Sequence, residues 1–162
     1  MTDLKALLTR LRDAGVEFVL VGGLAATAHG SARLTLDADI VYARTPENIA
    51  RLVNALKRYG PYLRGAPPGL PFRWDAETIQ RGLNFTLTTK LGSVDLLGEI
   101  VGGGGYADLL SESIEVKAFG VTCRCLDLDA LIRVKRAAGR PKDLEVIAEL
   151  EALRDERDRP KP

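Results

Sequence analysis

Leu4, Leu7, Leu8 and Leu11 recur at the i, i+3, i+4, i+7 spacing of one helix face, which predicts an amphipathic helix with Thr2 as N-cap and Gly15 as stop. The next stretch, "VEFVLV" (16–21), is a β-branched, apolar run interrupted only by Glu17, the pattern of a strand covered on both faces. Gly22-Gly23 ends it, and "LAATAHG" predicts a short helix closed by Gly30. "RLTLDADIVYA" (33–43) then alternates: Leu34, Leu36, Ala38 and Ile40 share one face, and Arg33, Thr35, Asp37 and Asp39 share the other. Pro46, at the first helical position, opens a helix that ends at Gly60.

Four prolines, Pro61, Pro67, Pro68 and Pro71, predict a loop over 61–71. "LNFTLTT" (83–89) and "SVDLLGEI" (93–100) predict two strands, and "GGGG" (102–105) predicts a flexible break serving as a mobile rim. A hairpin around Gly120 pairs "SIEVKAF" with "VTCRCL", and two helices, 127–138 and 142–154, close the pattern. The order α-β-α-β-α-β-β-β-β-α-α predicts a single α/β (α+β) domain with a mixed sheet over 1–154, followed by a charged, frayed tail at 155–162.

Composition narrows the function classes. A chain of 162 residues with 46% hydrophobic content can bury one core. The net charge of +1 gives no bulk attraction to nucleic acid or membrane, so any basic surface is local. The pair Cys123 and Cys125 is too small for a disulfide framework or a zinc site and reads as reduced thiols. With no signal-peptide pattern and no apolar run of membrane-spanning length, a soluble cytoplasmic protein is expected.

Strands are poor in aspartate, yet Asp37 and Asp39 lie two apart, so their side chains share a face roughly 6–7 Å apart along the strand. Alone, they are equally well the wet face of an edge strand. Asp95 in "GSVDLLGEI" occupies the polar face of its own strand, and three carboxylates converge if the two strands are neighbours. Oxygen-only ligands of this kind suit Mg²⁺, which takes a few carboxylates plus substrate phosphates. Gly22-Gly23 allows close backbone approach to a ligand at a helix start. Lys135 sits on the apolar stripe Leu128, Leu131, Ile132, where a lysine snorkels to water, pairs with a carboxylate, or reaches a phosphate.

Gly22-Gly23 followed, after a gap of thirteen residues, by Asp37-Ala38-Asp39 resembles the signature of the DNA polymerase β-like nucleotidyltransferase superfamily. "HGSARLTLDADI" and "LIRVKRAAGRPKDLEVIAEL" look like its small bacterial members, linked to toxin–antitoxin, abortive-infection and antibiotic-resistance systems. The resemblance spans about residues 16 to 150. It implies a mixed, mostly antiparallel twisted sheet flanked by helices. It further implies Asp37, Asp39 and Asp95 as catalytic carboxylates holding Mg²⁺ or Mn²⁺, and a nucleoside triphosphate (NTP) as substrate. Gly22, Gly23, Arg33 and Lys135 would face the phosphates, Arg33 having pairing with Asp37 as its other role. The acceptor would be RNA or tRNA, a protein or a small molecule, and a cognate antitoxin is an implied partner of a toxin-type member. One position departs from the pattern: where such tails often carry a second aspartate three residues past the Lys-Asp pair, this chain has Val146. The alternative is therefore a catalytically silent binding module on the same fold.

The remaining features read as structural. His29 at a helix end, Phe72 and Trp74 beside the prolines, and Asp143 as a cap of the last helix are each assigned to packing or capping before chemistry. Arg133, Lys135, Arg136, Arg140 and Lys142 form the local basic cluster, either a solvated helix face or a guide for RNA or nucleotide.

Overall fold

A computed structural model describes residues 1–161. Helix α1 (Leu4–Asp13) buries Leu4, Leu7, Leu8 and Leu11, and it is capped by Asp3, whose carboxylate accepts from the Ala6 amide at 3.0 Å. Thr2 is therefore not the cap. Its hydroxyl donates to the Leu36 carbonyl and accepts from the Ser93 amide, tying the N-terminus to the sheet instead.

Strand β1 (Phe18–Leu20) is buried throughout, and α2 (Gly22–Ala28) follows it directly. Strand β2 (Asp37–Tyr42) begins four residues later than the alternation suggests. Leu34 and Leu36 are 77% and 54% exposed, so the pattern at 33–36 is alternation without a sheet beneath it. Helix α3 (Pro46–Leu56), capped by Thr45, runs into a 3₁₀ turn at Lys57–Tyr59. The proline-rich segment is not wholly irregular: β3 (Tyr62–Leu63) pairs with β4 (Phe85–Thr89), and α4 (Ala76–Arg81) lies between them.

Strand β5 (Gly92–Leu97) is followed by a two-stranded ribbon, β6 (Glu99–Ile100) with β7 (Gly104–Gly105), and by α5 (Tyr106–Leu110). The glycine run is thus half strand and not a free rim. The hairpin β8 (Ser113–Ala118) and β9 (Val121–Leu126) forms as expected. Helices α6 (Leu128–Ala138) and α7 (Pro141–Asp158) close the chain, α7 running past residue 154.

Seven strands form one sheet in the order β3-β4-β5-β2-β1-β9-β8. The β2/β5 and β1/β9 pairs are parallel and the others antiparallel, which makes the sheet mixed and mostly antiparallel. Helices α1, α3 and α4 pack in sequence on one another, while α2 packs on α6 and α6 on α7. The consequence for function is the position of β2. It lies inside the sheet with β5 as a parallel neighbour, at the place where β1 hands the chain to α2.

Candidate active site

The parallel register sets Asp37 opposite Ser93 and Asp39 opposite Asp95. Ala38, Ile40, Val94 and Leu96 turn into the core, and that burial fixes the opposite face as the one carrying all three carboxylates. The convergence that the sequence allowed only conditionally is realised.

Gly22 opens α2 with φ +59°, and a Cβ placed there would lie 2.2 Å from Asp39 Oδ2. Only glycine lets the backbone press against that carboxylate. The Gly23 amide lies near enough to Asp39 to favour its charged form. Burial above all, then the adjacent Asp95 carboxyl and the charge of Asp37, push the Asp39 carboxyl up to about 7 against the pull of the Gly23 amide.

The sequence reading missed Arg64, which follows β3. Its Nη2 lies 2.9 Å from Asp95 Oδ1 and its Nη1 3.9 Å from Asp37 Oδ2, and Nη2 also donates to the Leu87 carbonyl at 2.8 Å. The carboxylates therefore have a resident counter-charge. No periodicity marks Arg64; the β3–β4 pairing, two residues long, brings it there.

Lys135 lines the same cavity but is held by a carboxylate, with Nζ 3.5 Å from Asp143 Oδ1. Asp143, 1% exposed, also accepts from the Arg140 amide at 3.2 Å and from Arg140 Nε at 2.8 Å. Burial would raise this carboxyl, but the hydrogen bonds of Arg140 and the charges of Lys135 and Arg140 outweigh it and hold it below the usual range. Arg33 turns away from Asp37, with Glu145 at 3.7 Å and Glu149 at 3.9 Å as its partners on α7. Pairing with Asp37 is thus replaced by pairing across to α7, because residues 33–36 leave the sheet.

A cavity of about 790 Å³ brings the predicted residues together: Gly22, Gly23, Arg33, Asp37, Asp39, Asp95 and Lys135 all line it. Val146 lines it too, so the departing position faces the same space. Other candidates lie elsewhere in structural roles. His29 Nε2 is 2.8 Å from the Leu126 carbonyl, Trp74 Nε1 donates to Val53, and Phe72 meets Tyr62 edge-on. Arg133 pairs with Glu112, Arg136 with Glu151, and Lys135 and Arg140 share Asp143, so four of the five residues of the basic cluster have a carboxylate partner. Both cysteines are free, and burial pushes Cys123 up to about 11 and Cys125 up to about 12, so neither is a thiolate at neutral pH.

Among the described residues, no three carboxylate, imidazole or thiolate groups gather closely enough to cage a metal alone. A magnesium ion shared with phosphates needs only one or two carboxylates. The donor set fits such an ion: it is all oxygen, its anions crowd one another enough to raise Asp39, and the buried Asp95 Oδ1 accepts no hydrogen bond.

No protein-family model matches the chain, and no curated protein matches it. Solved structures do. A lincomycin-bound lincosamide antibiotic adenylyltransferase, LnuA, is 16% identical and covers 94% of this chain and 98% of its own, with a TM-score of 0.60. A protein of Thermotoga maritima described as a nucleotidyltransferase is 15% identical, with 94% and 96% covered and a TM-score of 0.58. ANT(2″)-Ia, in complex with adenylyl-2″-tobramycin, is 16% identical, with 92% and 91% covered and a TM-score of 0.57. The fold is that of the nucleotidyltransferases.

Proposed function

We propose that the protein is a metal-dependent nucleotidyltransferase that moves a nucleoside monophosphate from an NTP to an acceptor hydroxyl. The observation that carries this reading is the β2/β5 register, which sets Asp39 against Asp95, with Asp37 on the same face, beside the glycine turn into α2. Asp37 and Asp39 would hold Mg²⁺ or Mn²⁺, with Asp95 completing the set. The metal, when bound, supplies positive charge against the triphosphate and the leaving pyrophosphate.

The chain's own groups do the rest. Gly22 and Gly23 let the phosphate chain lie close to the backbone, and Lys135 and Arg33 give the cavity wall positive charge. Asp95 takes up the proton of the acceptor hydroxyl as its oxygen bonds to the α-phosphorus. The bond from that phosphorus to the oxygen bridging to the β-phosphate breaks, and pyrophosphate leaves. The acceptor hydroxyl belongs to an RNA, a protein or a small molecule. One structural neighbour is named a lincosamide antibiotic adenylyltransferase and another is in complex with adenylyl-2″-tobramycin, which puts small-molecule hydroxyls first among the acceptors to try. A toxin role with a cognate antitoxin is the arm tested by expression toxicity in cells.

A specific observation also supports the silent alternative: Lys135 is committed to Asp143, and Val146 gives the cavity no further carboxylate. One experiment decides. The protein is incubated with α-labelled NTPs, Mg²⁺ and pools of tRNA, protein and small hydroxyl compounds. Label transfer with pyrophosphate release, lost in Asp95→Asn, supports the enzyme. Metal-dependent NTP binding without pyrophosphate release above the Asp95→Asn control supports the binding module.

A further inference from the structure

Arg64 is a cation among three anions, and its surroundings are uneven. Toward the cavity floor it meets Asp95 Oδ1 at 2.9 Å and Asp37 Oδ2 at 3.9 Å. Toward the sheet, its side chain makes one hydrogen bond, to the Leu87 carbonyl, and its buried Nε has no partner. The 2.9 Å contact lacks hydrogen-bond alignment, since Asp95 Oδ1 also counts no partner. A guanidinium held by charge with poor alignment is held loosely. The segment that delivers it is pinned instead: the Arg64 amide donates to Thr86, and the Tyr62 hydroxyl donates to Pro67 and accepts from the Leu70 amide.

We propose that Arg64 is the exchangeable counter-ion of the carboxylate cluster: it neutralises Asp95 and Asp37 in the metal-free protein, and a divalent cation must displace it to bind. This deepens the nucleotidyltransferase reading and rests on it. Two positive groups cannot share the same carboxylate oxygens at 3–4 Å without repulsion that reduced dielectric amplifies. The guanidinium therefore leaves as the metal arrives, and it leaves with its Nε–H free to donate to an anion in the cavity. The proline-rich segment gains a role, which is to set the resting charge of the site.

The test is Mn²⁺ binding to the nucleotide-free protein, followed by the electron paramagnetic resonance of the free ion. Arg64→Gln removes the competitor and should tighten Mn²⁺ binding on the order of tenfold. Arg64→Lys keeps the charge and should stay close to wild type. Metal-free Arg64→Gln should also melt below wild type and gain more from saturating Mn²⁺. In wild-type protein the ¹⁵N signal of the Arg64 guanidinium should shift on Mg²⁺ addition, a readout that needs no variant to fold. Unchanged or weaker Mn²⁺ binding in a natively folded Arg64→Gln, or an unmoved Arg64 signal at saturating Mg²⁺, overturns the proposal. If Asp39→Asn abolishes Mn²⁺ binding while Arg64→Gln behaves as wild type, the counter-ion inference falls alone. If wild type and Asp39→Asn bind Mn²⁺ equally, the metal-site reading falls with it.

Discussion

Lys135 shows how a single residue can be read in outline and still be incomplete. Its place on an apolar stripe marked it as needing an anion, and Asp143 supplies one from the next helix, eight residues on. Removing the lysine charge leaves a carboxylate that is 1% exposed with Arg140 as its remaining partner. Breaking a buried pair costs several kcal/mol, less where a second cation stays, so Lys135→Met should lose about 1–3 kcal/mol in chemical denaturation. Asp143→Asn made in addition should recover part of that loss, and additive losses in the two variants would deny the coupling. Gly22 behaves differently. With φ +59° and Asp39 Oδ2 2.2 Å from any Cβ, Gly22→Ala should push Asp39 out of register with Asp95. Metal-dependent triphosphate binding, measured by calorimetry, should then be lost while circular dichroism keeps its native shape. Arg64, by contrast, was illegible in the sequence, because nothing in "PYLRGAPP" shows that two residues of strand will carry it under the carboxylates.

At the scale of elements, the long periodic segments were legible and the short ones were not. The leucine stripe of α1, the apolar run of β1, the hairpin β8–β9 and the two closing helices all form where hydrophobic spacing put them. Strand β3, the β6–β7 ribbon and α5 are two to five residues long, too short for either period to repeat, so hydrophobic spacing leaves no trace of them. Alternation misled at 33–36, where exposed Leu34 and Leu36 mimic a strand face. The glycine run is the clearest reversal. A Cβ at Gly102 would lie 2.5 Å from Ala137 Cβ on α6, and φ there is +78°, so the segment is packed against a helix. Gly102→Ala should therefore cost roughly 1–3 kcal/mol, as overpacking and a disfavoured φ do. A mobile rim would leave the thermal midpoint unchanged.

Across the whole molecule, the sheet places its least favourable charges at the point where β1, α2, β2 and β5 meet, and stability there depends on pH. Asp39 is raised from 3.8 to about 7 on folding, so between those values the native protein binds more protons than the unfolded chain. The slope of unfolding free energy with pH is then negative: the Asp39 contribution is intact below about pH 4, declines as pH rises, and is fully lost above pH 7. At about 1.4 kcal/mol per unit, and with solvent and Arg64 screening part of the effect, the loss is on the order of 2–4 kcal/mol. Asp143, held low by Arg140 and Lys135, works in the opposite sense, its stabilisation disappearing only as pH falls through the acid range. Urea denaturation in EDTA from pH 5 to 8 should thus show stability falling with pH in wild type and a flatter profile in Asp39→Asn. Metal binding requires the charged carboxylate, so Mn²⁺ affinity should rise over the same interval, with proton release seen as a buffer-dependent heat. A wild-type stability profile that climbs from pH 5 to 8 without metal would contradict an Asp39 carboxyl raised by burial beside Asp95.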